Sequence, residues 1–80
     1  MMHDTTTPNS RDIRLDLVTM NEWRVCDRRF DEHDSRCLLG FIERREHSYR
    51  VTTLRGRDDS TFGSLASATS SFTEEIAVIR

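Results

Sequence analysis

Lysine is absent from this chain: all twelve basic residues are arginine. Codon usage in a GC-rich genome accounts for such a bias; selection for phosphate contacts, which suit arginine's planar fork, is the functional alternative. Long apolar runs are also missing. The longest is Leu38-Leu39-Gly40-Phe41-Ile42, far short of the roughly 20 residues a membrane-spanning helix needs. No segment has the charged start and apolar centre of an export signal. The chain is therefore expected to be cytoplasmic, without a membrane partner, and its two cysteines to be reduced thiols. No nucleophile elbow, phosphate-binding glycine loop, dinucleotide fingerprint or HExxH pattern occurs. Neither catalysis nor a cofactor is expected.

What is present is a short chain with high charge content but little net charge. Eighty residues leave room for one domain, whose core contributes only about 3–5 kcal/mol of net stability. The apolar fraction is 35% and the charged fraction 32%, yet the net charge is -2. Low hydrophobicity without high net charge does not meet the usual condition for disorder. Residues 11–57 carry eleven arginines against nine acids, and residues 58–80 carry one arginine against four acids. Neither part is strongly polar in sign.

The apolar residues fall in patterned segments. Residues 1–10 contain the only proline and no periodic pattern, which reads as a flexible N-terminal leader; residues 11–80 read as a single α+β domain. Ile13, Leu15 and Leu17 alternate with Arg14 and Asp16, the period-2 signature of a half-buried strand. Trp23 and Val25 share one face of a second strand, with Arg24 and Cys26 on the other. A polar loop spans Arg29 to Arg36. Leu38 to Glu43 reads as a central strand covered on both sides, and Gly40 within it marks a bulge or a close backbone approach. Tyr49, Val51 and Thr53 lie on one face of a fourth strand.

Arg55 to Ser60 reads as a turn-rich loop, and Thr61 to Ser64 as the approach to a helix. Ser64 is a good N-cap, and Leu65, Ala68, Phe72 and Ile76 follow at helical spacing. The expected fold is a small four-stranded antiparallel meander with one C-terminal helix packed on one face, in the order β-β-β-β-α. The helix stripe is expected to cover Trp23, Val25, Phe41 or Ile42, and Val51.

Three constellations carry candidate chemistry. Cys26, His33 and Cys37, with Asp31, Asp34 or His47 as a fourth ligand, offer a zinc-type donor set. Familiar zinc sites begin with two ligands two to four residues apart, which this spacing does not provide. Buried cysteines acting as small apolar fillers are the simpler account. The run Asp31-Glu32-His33-Asp34 offers acid–base groups, but flanking arginines and a loop setting mark it as solvated surface. Arginines interleaved with aromatics offer a sheet surface for nucleic acid, using Arg24, Arg28, Arg44, Arg50 and Arg55.

The order Trp23-Arg24-Val25, further strands, then Phe62-x-Ser64-x-x-x-Ala68 resembles the three-stranded, single-helix arm-type DNA-binding modules of some integrases. The likeness spans roughly residues 22–73 and implies DNA contact through the sheet. An extra leading strand and the negative net charge depart from that pattern. The leading expectation is a small non-enzymatic accessory or interaction protein acting through a sheet face or an edge strand. Its partner is then an unknown protein or a second copy in a homodimer. A sheet-type nucleic-acid-binding module is the alternative.

Overall fold

The computed structural model describes residues 8–54 and 59–73. After a 3-10 turn at Ser10–Asp12 come β1 (Ile13–Thr19) and β2 (Glu22–Asp27). A second 3-10 turn, Ser35–Cys37, precedes β3 (Leu38–Arg44), β4 (Tyr49–Thr53), β5 (Asp59–Phe62) and the helix α1 (Leu65–Ser70). The strands form one antiparallel sheet in sequence order, β1-β2-β3-β4-β5. The α+β class is as expected, but the sheet has five strands rather than four. The extra one lies where the sequence suggested a loop and a helix approach. Its four residues hold one apolar side chain, Phe62, too little for an alternating pattern to show. Pairing with β4 makes it a strand. Of the expected leader, residues 1–7 lie outside the described residues, whereas Pro8 is buried and Asn9 caps the turn at Ser10–Asp12.

Successive residues of a strand face opposite sides, and partners across an antiparallel pair share a side. The registers therefore place Ile13, Leu15, Leu17, Trp23, Val25, Gly40, Ile42, Tyr49, Val51 and Phe62 on one face. Helix α1 packs on this face, over β4 and β5. Ala68 joins Val25, Leu39, Ile42 and Val51 in the core, with Leu65 and Phe72 against its margin. Phe41 pairs with Arg24 and Thr52 and so lies on the opposite face. Ile42, not Phe41, lies under the helix.

The helix is only six residues long. Ser64 caps it as expected, its Oγ accepting from the Ser67 N–H at 3.1 Å. Its far end is closed by hydroxyls that turn back onto the backbone: Thr69 donates to the Leu65 carbonyl at 2.8 Å and Ser71 to that of Ala68 at 2.6 Å. Such bonds compete with helix continuation. The chain then tightens, Phe72 N–H bonding to Thr69 O at 3.0 Å. Phe72 thus leaves the helix but still meets the sheet. Ile76 lies outside the described residues.

Gly40 sits beside a bulge. Val25 opposes Gly40 while Cys26 opposes Leu38, so Leu39 is an extra residue on β3, and both sequence readings of Gly40 hold.

Candidate functional site

The open face of the sheet carries alternating charges. Arg14, Asp16, Glu22, Arg24, Glu43, Arg50 and Asp59 all project from it. Arg14 Nε donates to Asp16 Oδ1 at 3.2 Å, and Arg24 Nη2 approaches Asp16 Oδ2 at 3.5 Å. Burial alone would raise the Asp16 carboxyl. Arg14, and then Arg24, outweigh that effect and hold it below the usual carboxylate range. Arg50 Nη2 donates to Asp59 Oδ2 at 2.6 Å, and Glu43 lies directly opposite Arg50 on β3.

This geometry divides the five arginines proposed for nucleic acid. Arg24 and Arg50 share the open face, and each engages a carboxylate. Arg44 follows Ile42 on the helix side and donates from Nη2 to Asn21 Oδ1 at 3.0 Å. Arg28 lies just past β2, its backbone N–H bonded to the Asp12 carbonyl at 2.6 Å. Arg55 lies outside the described residues. The open-face strands carry three arginines, Arg14, Arg24 and Arg50, against four acids, Asp16, Glu22, Glu43 and Asp59. A polyanion gains little on such a surface, because binding depends on uncompensated cations.

A cavity of about 390 Å³ opens on the same side, between the sheet and the 29–36 loop. Its lining includes buried Cys26 and Cys37 and half-buried Leu38, together with Arg14, Arg24 and His33. The two thiols are free and buried. Burial pushes the Cys26 thiol up, and Cys37 and Asp16 push it further, against a smaller opposing effect of Arg14. A thiol held protonated this way is a poor nucleophile. His33 lines the cavity, but its side chain is 88% exposed and faces Asp31 Oδ1 at 3.2 Å. Among the described residues no three His, Cys, Asp or Glu side chains gather as a metal site. Cys26, His33 and Cys37 share a cavity without forming a ligand set.

The feature that sequence reasoning located only in outline is the free edge of β1. Hydrogen-bond phase follows from two bonds outside the ladders. Arg28 N–H donates to Asp12 O, in line with the β1–β2 register, and Arg44 N–H donates to Asn21 O, in line with β2–β3. Even-numbered residues of β1 therefore bond to β2, and Ile13, Leu15 and Leu17 turn their backbone groups outward. The Ile13 N–H is satisfied by Ser10 O. The outward groups of Leu15 and Leu17 have no partner among the described residues. Leu17 is 64% exposed, and Val18 and Met20 are exposed beside it. Helix α1 sits over β4 and β5, and among the described residues the apolar face is exposed at Leu17, at the far end of β1. The signal in the sequence was the alternation of Ile13, Leu15 and Leu17, which marks a strand but not its place at an edge.

No helix among the described residues is long and apolar enough to cross a membrane. The five-stranded sheet differs from the three-stranded integrase arm modules that the chain resembles in residue order. Compared with protein families, with curated proteins and with solved structures, the chain matches none.

Proposed function

We propose that this chain is a small non-enzymatic interaction module whose working surface is the free edge of β1. The observation that carries this reading is the outward backbone of Leu15 and Leu17, a ready template for another strand. Proteins usually defend an exposed edge with lysine, proline or a very short strand. β1 has seven residues and contains neither lysine nor proline. Its one irregularity, between Leu17 and Thr19, lies beyond the stretch that would pair. An apolar strip, Ile13, Leu15 and Leu17, follows the same edge on the helix side.

Affinity capture from the native host, with Leu17→Lys compared against Ala66→Lys on the exposed side of α1, tests the proposal. Both changes add one exposed cation, but only the first blunts the edge. The expected result is a partner that Leu17→Lys loses and Ala66→Lys keeps, with slowed exchange of the Leu15 and Leu17 amides in the complex. Identical capture by both variants, with those amides unprotected, would overturn it.

A further inference from the structure

We infer that the occupant of the β1 edge is the β1 strand of a second copy, paired antiparallel about Leu15. This inference rests on the edge-strand reading above and names its partner. A two-fold axis perpendicular to the sheet keeps each face continuous, so it can pair only residues on the same face. It must also pair residues whose backbone groups point outward, which are Ile13, Leu15 and Leu17. An axis at Leu15 sets Leu15 opposite its own copy and Ile13 opposite the other chain's Leu17. Each Leu15 N–H then bonds to the other Leu15 carbonyl, and each Leu17 N–H to an Ile13 carbonyl. The Ile13 N–H is already bonded to Ser10 O and does not donate across the axis, so four backbone bonds join the strands and each Leu17 carbonyl is left to solvent.

Charge selects this register over its neighbour. With the axis at Leu15, Arg14 lies directly opposite Asp16 of the other copy, twice by symmetry. These are non-hydrogen-bonded pairs, whose Cα atoms approach to about 4.5 Å. Each Arg14 would sit between its own Asp16, which it already contacts at 3.2 Å, and a second carboxylate. An axis at Asp16 instead opposes two aspartates at the same close spacing and sets Arg14 against Val18. On the helix side, the Leu15-centred register covers exposed Leu17 with half-buried Ile13. The product is a ten-stranded sheet with both helices on one face.

Sedimentation equilibrium between about 10 μM and about 1 mM, where a small edge interface holds a dimer, is the first arm. Wild type should dimerise reversibly. Arg14→Asp and Asp16→Arg should each weaken self-association by about tenfold or more, since both symmetric pairs become like-charged. An equimolar mixture of the two variants should regain a dimer containing one copy of each. In that mixed dimer the two introduced side chains, of opposite sign, face each other, and the native Asp16 of one chain meets the native Arg14 of the other. That recovery cannot come from misfolded chains. A dimer indifferent to both changes, or a mixture that fails to pair, overturns the inference. So does a wild type that stays monomeric throughout. In that last case a partner lost specifically by Leu17→Lys would leave the edge-strand function standing with a different occupant, and its absence would remove both.

Discussion

The ring of Phe72 lies over the bare Cα of Gly40. A Cβ placed there would stand 2.9 Å from Phe72 Cε1 and 3.1 Å from Cζ, and would press on the Thr52 carbonyl oxygen inside van der Waals contact. The backbone oxygen cannot rotate away, and Phe72 is held by the turn that ends α1. Gly40→Ala should therefore cost on the order of 1–3 kcal/mol, lowering the melting temperature by roughly 4–8 °C for each kcal/mol. At Gly63 an added Cβ meets nothing within 4 Å. Gly63→Ala should stay within about 0.5 kcal/mol of wild type. Equal melting shifts for the two would show that Gly40 is not required by this contact.

Asp27 is buried at 2% exposure and closes the end of β2. Its Oδ1 accepts from the Arg29 backbone N–H at 3.0 Å and from Nε at 2.9 Å, while Oδ2 accepts from Nη2 at 2.7 Å. Asp12 adds a second carboxylate 3.8 Å from Arg29 Nε. Arg29→Ala removes the guanidinium from a buried carboxylate that keeps the backbone N–H, and should cost about 2–3 kcal/mol. The double change with Asp27→Ala should cost less than the sum of the single changes, as a double-mutant cycle by chemical denaturation would read. Additive costs would mean that the two side chains do not act as a pair.

Glu22 and Glu43 sit directly opposite each other across β2 and β3. Arg45 compensates only Glu43, through Nε to Oε1 at 3.2 Å. Like charges opposed on a sheet destabilise, whereas an opposite pair contributes roughly 0.2–1 kcal/mol. Glu22→Lys should therefore raise the melting temperature by a few degrees at low salt. The gain should shrink in about 1 M salt, where screening acts over about 3 Å. A salt-independent gain would point to packing or strand propensity instead.

The β1–β4 strands were legible because each carries its own apolar signal, an alternation in β1, β2 and β4 and a continuous run, Leu38 to Ile42, in β3. Gly40 was legible for the same reason, as an interruption within an apolar run. β5 was not: Ser60 and Thr61 carry no burial signal, and only pairing with β4 makes the segment extended. The choice between Phe41 and Ile42 stayed open because the two are adjacent and both apolar, so pattern alone does not decide which lies under the helix; the register selects Ile42. The placement of the arginines was not legible for a different reason. Arg24 lies directly opposite Asp16, and Arg50 lies opposite Glu43 and diagonal to Asp59, and such pairing depends on register. The edge status of β1 likewise belongs to topology, since an edge strand and a central one share the same alternation.

Asp34 makes the sharpest pH prediction. Its Oδ1 accepts from the Arg36 backbone N–H at 2.9 Å and from Nε at 3.1 Å, and its Oδ2 from Nη2 at 2.7 Å. The Arg36 side chain, followed by its backbone N–H, holds the carboxyl down to about 2. Arg36 is itself steadied over the Phe30 ring, 4.6 Å from its centroid. A carboxyl whose pKa is lower folded than unfolded stabilises the fold above the unfolded value of about 3.9, and that contribution fades as pH falls toward 2. Carbon-13 titration of the Asp34 carboxyl should give a midpoint near 2 in wild type. Arg36→Gln should move it up toward the ordinary range, and Phe30→Leu should move it part of the way. A midpoint unchanged by Arg36→Gln would remove the guanidinium as the cause and leave the backbone N–H as the group holding the carboxylate.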